Sequence, residues 1–185
     1  MFIFDDGPNP EITPKLLDVL SSPAVFFVIG KRAEQYPEIV REIVRRGYPL
    51  GNHTYSHVPL VGLPVEKVRE EIKRWDETID KIIPGYRTYY FRAPGNAWNA
   101  ELQEIFDLHL FDTPTTAGDW NWDYENGDPG QKVAEILRAP REIIALHDGV
   151  DTEPPNWRRG LPALLAVTEI EKTRHPGSIL SERSA

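Results

Sequence analysis

The chain has 185 residues, with 21 Lys and Arg against 29 Asp and Glu, and it has no cysteine. This length suits one domain that buries its own core, and the formal net charge of −8 disfavours nucleic-acid binding through a basic face and favours a neutral or cationic partner. Without cysteine, disulfides and cysteine-based zinc sites are excluded, so a metal site can use only histidine and carboxylate ligands.

Short β-type runs alternate with helical patterns along the chain, which is typical of an α/β fold with parallel strands. The predicted strands cover residues 2–4, 24–28, 48–51, 89–92, 108–112, 143–147 and 178–180. No internal repeat, low-complexity tract or linker indicates a second domain.

The helices are predicted from their start and stop signals. Thr13 before Pro14 is typical of an N-cap followed by proline, and Tyr36-Pro37 opens a second helix that Gly47 ends. The clearest helix covers about residues 64–83, where apolar residues recur every three or four positions and form a core-facing stripe. Further helices are predicted from an Asn99 cap to residue 108, at 130–137 and at 161–172.

The ends of the chain carry no membrane or export signal. No apolar run is long enough to span a bilayer, and the first residues do not form a signal peptide. Because Met1 stands directly before a strand, we expect the natural protein to carry upstream residues, among which an export signal would not be visible here.

Every unusual polar cluster follows the end of a predicted strand. These side chains are Asp5, Asp6, His53, His57, Arg92, Asp119 and His147. In a barrel of alternating strands and helices, the loops at the carboxyl ends of the strands converge on one rim, where active sites are built. The sequence therefore predicts that these residues become neighbours.

His53 and His57 stand four residues apart, a spacing that places two imidazoles on one face of a helical turn. With an aspartate they complete the three-ligand set of a catalytic zinc site, which leaves one position open. The alternative is chance, because five histidines in one chain readily produce such a pair.

The adjacent carboxylates Asp5 and Asp6 precede Gly7 and Pro8. The alternative here is an ordinary strand-ending turn, since Asp, Gly and Pro all favour turns. Adjacent side chains leaving a strand diverge, however, so one carboxylate can bind a metal while its neighbour acts as general base on water.

The three remaining candidates also have ordinary alternatives. Arg92 ends a strand rich in aromatics, where its charge is costly and a carboxylate partner is expected, but most arginines are solvated. Asp119 can be a solvated loop acid and His147 a satisfied strand-end histidine. Each ordinary alternative is favoured when its residue is considered alone.

Together, these segments resemble the five ordered motifs of the polysaccharide deacetylases, carbohydrate esterase family four, with its NodB-type homology domain. The motifs correspond to residues 4–8, 53–57, 92–95, 119–120 and 146–147. The first two are specific, whereas the others are short and persuade by order and spacing. The resemblance spans nearly the whole chain, and it implies a distorted, incomplete (β/α) barrel and a single catalytic domain over residues 1–185.

The resemblance implies roles for the first three motifs. Asp6, His53 and His57 would hold the metal, which we expect to be Zn²⁺ or another divalent transition metal such as Co²⁺ or Ni²⁺. Asp5 would be the general base, and Arg92 would pair with it.

The later motifs would complete the reaction. His147 would be the general acid, and Asp119 would orient and tune it. The backbone N–H of Gly95 would help to bind the oxyanion, and Trp120 and Leu146 would wall the pocket for the acetyl methyl group.

Flat aromatic side chains in loops on the predicted rim can stack on sugar rings. They are Trp98, Trp120, Trp122 and Trp157. The alternative, that such a residue only packs its loop onto the barrel, is expected for about half of them.

Two positions depart from the family pattern. Gly95 stands where an aromatic residue is common, which leaves the backbone donor intact and opens the wall beside it. Ala145 stands where a leucine is common, which makes the pocket floor roomier.

The implied activity is metal-dependent removal of acetyl groups from a polysaccharide, with N-acetylglucosamine polymers such as chitin or peptidoglycan as the favoured substrates. Alternatives are an acetylxylan esterase, an esterase for small acetylated molecules, and a non-catalytic carbohydrate-binding domain. Retention of Asp5 and His147, which binding alone does not require, argues against the last. We further expect a monomer that is secreted or associated with the cell envelope and binds no nucleic acid.

Overall fold

A computed structural model of the chain describes residues 1–97, 99–105, 109–110, 117–123, 125–138, 143–149 and 157–174, without the side chains of 109, 110 and 157. The predicted strand at 178–180 lies outside the described residues, and so do Trp98 and the side chain of Trp157.

The described residues contain one sheet of six parallel strands. The strands are β1 (Phe2–Gly7), β2 (Ala24–Val28), β3 (Leu50–Asn52), β4 (Tyr90–Phe91), β5 (His109–Leu110) and β6 (Ile144–His147). Their spatial order is β5-β4-β3-β2-β1-β6, so β5 and β6 end the sheet and it does not close within the described part of the chain. The predicted α/β fold with parallel strands is confirmed.

Seven α-helices surround the sheet in the described residues. They are α1 (Thr13–Val19), α2 (Gly30–Gln35), α3 (Pro37–Arg45), α4 (Val65–Ile82), α5 (Ala100–Ile105), α6 (Pro129–Arg138) and α7 (Leu161–Arg174). The predicted core-facing stripe of α4 is confirmed, because Val68, Trp75, Ile79 and Ile82 are buried. No described helix combines the length and the apolar character that a bilayer crossing requires.

Three details of the helices bear on the predictions. The prediction of Thr13 as an N-cap is wrong, because Thr13 is already helical and Asn9 Oδ1 accepts the N–H groups of Glu11 and Ile12 instead. The predicted cap at Asn99 is confirmed by its 2.9 Å bond from the Leu102 N–H. The short helix α2 was not predicted from the sequence.

The core lies on both faces of the sheet, since successive side chains of a strand point to opposite sides. The outer, larger cluster contains Phe4 and Phe26, whose ring centroids lie 4.8 Å apart. A smaller inner cluster consists of Ile3, Val25, Phe27 and Ala145.

The register of the strands shows which polar residues lie on the inner face of the sheet. Asp5 is paired with Phe27 on β2 and with His147 on β6, so these two polar side chains extend the inner cluster toward the carboxyl ends of the strands. His53 directly follows β3 and Arg92 directly follows β4. The sheet thus places four of the predicted site residues at one edge.

Candidate metal and catalytic site

Three candidate ligand atoms meet at the carboxyl ends of β1 and β3. Asp6 Oδ1 lies 3.1 Å from His53 Nε2 and 3.0 Å from His57 Nε2, and one ligand atom from each residue lies within 4.8 Å of the other two. Ligands of a tetrahedral zinc ion with bonds of about 2.0–2.1 Å are separated by roughly 3.3 Å. Two nitrogens and one carboxylate oxygen at this spacing fit a single divalent ion.

The backbone around these ligands is not helical. Residues 53–57 form a loop in which Thr54 has φ +63° and His57 has φ +60°, so the expectation of a helical turn is wrong. Hydrogen bonds hold this loop: Thr54 N donates to Asn52 Oδ1 at 2.8 Å, and His57 N donates to Thr54 Oγ1 at 3.0 Å. Two imidazoles converge here because the loop is fixed, and helical periodicity plays no part.

The loop is also held from α2 and α4. The N–H of Gly30 donates to the Thr54 carbonyl at 3.0 Å, and the N–H of Lys31 donates to the Tyr55 carbonyl at 2.9 Å. Glu71 on α4 accepts hydrogen bonds from both the N–H and the hydroxyl of Ser56, each at 2.8 Å. The unpredicted helix α2 therefore helps to position the metal-binding loop.

The tautomer of His53 follows from its neighbours. Nδ1 of His53 lies 2.8 Å from the carbonyl oxygen of Arg92, and because a carbonyl oxygen can only accept, Nδ1 carries the proton. In the neutral ring, the lone pair of Nε2 then faces the Asp6 carboxylate. Two electron-rich atoms at this distance attract only when positive charge lies between them, and either a proton on Nε2 or a divalent ion can supply that charge.

Where the two imidazoles carry protons toward Asp6 instead, they set the charge state of its carboxyl group. Burial raises the pKa of Asp6, but hydrogen bonds from His53 and His57 and the positive charges of His57 and His147 outweigh burial and hold the pKa well below its usual range. Asp6 is therefore a carboxylate at neutral pH, the form that binds a cation.

Asp5, the neighbour of Asp6, faces different partners. Its Oδ2 accepts a 2.7 Å bond from Nε of Arg92, and the side chains of this pair are only 2–3% exposed. Its Oδ1 is buried and has no hydrogen-bond partner among the described residues. An unpaired buried acceptor costs about 1–3 kcal/mol, so Oδ1 is suited to a proton donor such as a substrate water.

His147 stands on the other side of Asp5. Its Nε2 lies 4.0 Å from Asp5 Oδ2, and its Nδ1 lies 2.9 Å from Oδ1 of the fully buried Asp119. The other oxygen of Asp119 accepts a 2.6 Å bond from the His147 backbone N–H. Burial lowers the pKa of His147, but the charge and hydrogen bond of Asp119, with smaller contributions from Asp6 and Asp5, raise it to about 10.

The predicted substrate-contacting residues fare differently. Leu146 is fully buried in the outer core and points away from the face that carries His147, so its prediction as a pocket wall is wrong. Because side chains alternate along a strand, Ala145 lies on the same face as His147 instead. Trp120 is 51% exposed. Trp122 lies in the same loop, with the guanidinium of Arg158 6.0 Å from its ring. Gly95 has φ +64° in a short 3₁₀ turn, Pro94–Asn96, which begins two residues after Arg92.

One buried acid next to the site received no role from the sequence. Asp148 follows His147 and accepts a hydrogen bond from the Thr13 hydroxyl. Burial and the charges of Asp6 and Asp5 raise the pKa of Asp148 to about 7, although the Thr13 bond lowers it. The sequence signal that could have identified Asp148 is the apolar run before His147. Such a run predicts a buried strand end, where an acid such as Asp148 needs a hydrogen-bond donor.

The comparisons with known proteins agree with the motif resemblance. A family description for polysaccharide deacetylase matches residues 1–110. A chitooligosaccharide deacetylase of Rhizobium leguminosarum bv. trifolii is 33% identical over 150 residues, which cover 79% of this chain and 69% of that protein. A peptidoglycan-N-acetylglucosamine deacetylase of Bacillus cereus is 40% identical over 94 residues, or 49% of this chain and 34% of that protein.

A solved structure shares the fold. The peptidoglycan deacetylase PdaC from Bacillus subtilis superposes with a TM-score of 0.78 at 28% identity, covering 93% of this chain and 82% of that one. The likeness therefore includes the C-terminal segment beyond the family match, where Asp119 and His147 lie. The chain belongs to the polysaccharide deacetylase family, carbohydrate esterase family four, as its five motifs predicted.

Proposed function

We propose that this protein is a metal-dependent hydrolase that removes acetyl groups from N-acetylglucosamine residues of chitin, chito-oligosaccharides or peptidoglycan. The observation that carries the proposal is the meeting of Asp6, His53 and His57 beside an Arg92-bound Asp5. The names of the relatives support both the reaction and the substrate class.

The metal is proposed to be zinc, with Co²⁺ or Ni²⁺ as alternatives, because two imidazoles and one carboxylate are ligands of that chemistry. When bound, the ion would polarise the acetyl carbonyl and lower the pKa of a water molecule toward neutrality. Asp6, His53 and His57 supply three protein ligands and leave a position for these oxygens.

The proton transfers are assigned to two groups with different charges. Arg92 occupies Oδ2 of Asp5, which leaves Oδ1 to take the proton of the attacking water. His147 is positively charged at pH 7 because of Asp119, and it gives the proton of Nε2 to the departing amine. The N–H of Gly95 is proposed to donate to the oxyanion, and such donors contribute on the order of 3 kcal/mol.

Replacing Asp119 tests the charge of His147. Asp119→Asn removes the negative charge that raises the pKa of His147, so the imidazole loses its proton at lower pH. Because the proposed acid works only while protonated, the alkaline limb of the kcat/KM profile should move to lower pH by about 1–3 units. Deacetylation measured from pH 6 to 11 checks this.

The matched control is Asp123→Asn, four residues further along the same loop. Asp123 is exposed and accepts hydrogen bonds from the N–H groups of Glu125 and Asn126, and within the described part of the chain it makes no hydrogen bond to His147. The alkaline limb of the kcat/KM profile of Asp123→Asn should coincide with that of the wild type. An unchanged alkaline limb of the kcat/KM profile in Asp119→Asn would contradict the role of His147 as a general acid whose pKa Asp119 raises.

The open wall at Gly95 predicts tolerance of larger acyl groups. A Cβ built on Gly95 meets no atom of the described residues within 4 Å, so an additional methylene has room on that side. One methylene in a closed apolar pocket typically changes kcat/KM by 10–200-fold, and we expect a ratio below about 10 between acetylated and propionylated chito-oligosaccharides. Strict selectivity for acetyl would contradict the open wall.

The experiment that tests the proposed function measures acetate released from chitin oligomers, peptidoglycan and acetylxylan, with and without a chelator. We expect release from an N-acetylated polymer, its loss with chelator and its return with zinc. Preference for acetylxylan would make the protein an esterase. Zinc binding without release from any substrate would favour a carbohydrate-binding domain. Monomeric state and action at the cell envelope or outside the cell stay predictions.

A further inference from the structure

Asp148 is a buried acid that the reaction proposed above does not use. The residue is 1% exposed, and its Oδ2 accepts a hydrogen bond from Thr13 Oγ1, whose side chain is fully buried. Its Oδ1 has no hydrogen-bond partner among the described residues. A carboxyl group held this deeply is costly, so its position calls for a physical reason.

Asp148 and Gly149 pack directly on the backbone that carries the aspartate pair. A Cβ built on Gly7 would lie 2.7 Å from both carboxyl oxygens of Asp148, and a Cβ on Gly149 would overlap the carbonyl group of Asp6. The N–H of Gly149 also donates to the Asp5 carbonyl at 3.3 Å. Only glycine at these two positions permits so close an approach.

The backbone that they contact is strained at the proposed metal ligand. Asp6 has φ +68°, a conformation that non-glycine residues adopt at a cost of about 1–3 kcal/mol unless their surroundings impose it. The direction of the Asp6 carboxylate toward His53 and His57 depends on this φ. Packing by residues 148–149 therefore supports the φ angle of Asp6 that directs its carboxylate toward the two histidines.

Thr13 fixes the position of the Asp148 side chain. Its hydroxyl donates to Asp148 and accepts a 2.8 Å hydrogen bond from the N–H of Asn9. Two hydrogen bonds thus connect Asn9 through Thr13 to Asp148, and the carboxyl group of Asp148 packs against Gly7 at the start of the same loop. Hydrogen bonds to a carboxyl group in such a buried setting are stronger than those in water.

We propose that Asp148, held by Thr13, is a positioning residue that keeps Asp6 in its left-handed conformation and thereby sets the affinity for the metal ion. The inference rests on the proposed metal-dependent function. It assigns a purpose to Thr13, whose hydroxyl was expected to cap α1 and instead serves the site.

The test is the zinc affinity of Thr13→Val, measured by competition with a chromophoric chelator. Valine keeps the shape of threonine and removes the hydroxyl. We expect affinity to fall about 10- to 100-fold, the range typical of lost support around metal ligands. Thr13→Ser, which restores the hydroxyl, should bind zinc within about threefold of the wild type.

Ser21→Ala is the matched control for a lost hydroxyl–carboxylate bond. The Ser21 hydroxyl donates to Glu171 at 2.6 Å, between the segment before β2 and helix α7. This variant should lower the thermal unfolding temperature and leave zinc affinity unchanged. A matching loss of zinc affinity in Ser21→Ala would mean that Thr13→Val acts only through global stability and would overturn the proposal.

The remaining outcomes also decide. If the wild type binds zinc and folded Thr13→Val binds it equally, the positioning role is wrong and the metal site stands. If the wild type binds no zinc, the proposed function itself fails. If Thr13→Val does not fold, the zinc affinity of Gly7→Ala is measured instead. This variant keeps the bond between Thr13 and Asp148 but pushes a methyl group against the Asp148 carboxyl group. Weakened zinc affinity would support the proposal, and unchanged affinity would contradict it.

Discussion

His53→Ala should bind zinc at least about 100-fold more weakly than the wild type and should show no metal-dependent deacetylation. The substitution removes one of three ligand atoms that lie within 4.8 Å of one another. It also removes the ring whose Nδ1–H donates to the Arg92 carbonyl, the bond that fixes the orientation of Nε2 toward the ion site. Loss of a supporting hydrogen bond alone typically costs 10–100-fold in metal affinity, and loss of a ligand should cost more.

Ser56→Ala is the control for this result. Ser56 lies in the same loop, between the two histidines, and offers no ligand atom; Ser56→Ala loses the hydroxyl bond to Glu71 but keeps the 2.8 Å bond from the backbone N–H that holds the loop. Zinc stoichiometry measured on gel-filtered protein should stay near one for Ser56→Ala and approach zero for His53→Ala. Full zinc content in a folded His53→Ala protein would mean that the ion binds elsewhere.

Asp5→Asn should keep its zinc and lose about 10²–10⁴-fold in kcat, the usual contribution of a general base. Asparagine preserves the shape of the side chain but cannot accept the water proton. It also removes the carboxylate charge that pairs with the 1% exposed Arg92, so the unfolding temperature should fall. Zinc content therefore serves as the check that the site of this variant is still folded.

The adjacent substitution Asp6→Asn separates the two aspartates. The same chemical change one residue further along removes a ligand charge instead of the base, and its zinc content should fall with its activity. The two neighbouring Asp→Asn variants should therefore differ in zinc content, with zinc kept in Asp5→Asn and lost in Asp6→Asn. Equal loss of zinc in both would show that Asp5 is also a ligand and would overturn the division of roles.

The parallel sheet could be predicted because each of its signals is local. Apolar runs such as Ala24–Val28 mark buried strands, and the stripe on α4 marks a helix packed against the core. Once parallel strands were predicted, the polar residues at their ends had to share one edge. The motif resemblance then identified the family, because five motifs in the expected order and spacing are informative even when each single residue has an ordinary explanation.

What the sequence could not predict depends on contacts between distant segments. The left-handed conformations of Asp6 and His57 could not be predicted locally, because Asp and His adopt positive φ more often than most residues but still only in a small minority of cases. The helical spacing of His53 and His57 suggested a helix where a loop held by α2 and Glu71 was found. The side-chain direction of Leu146 required the register of β6 against β1, which places Leu146 beside Phe4.

Thr13 shows how a correct local rule can fail for a physical reason. Threonine before proline at a helix start favours an N-cap, but a buried carboxyl group lies within reach of its hydroxyl. Satisfying Asp148 takes precedence, because an unpaired buried acid costs more than an uncapped helix end, and Asn9 caps the segment instead. The partner 135 residues away could be known only from the fold.

The most direct test of the account is a crystal structure of the zinc-soaked protein, with the ion located from anomalous scattering at the zinc edge. We expect one ion, about 2.0–2.2 Å from Asp6 Oδ1 and from the Nε2 atoms of His53 and His57, with Asp5 bound to Arg92 and outside the coordination sphere. An ion ligated by Asp5, or no ion between these three side chains at saturating zinc, would contradict it.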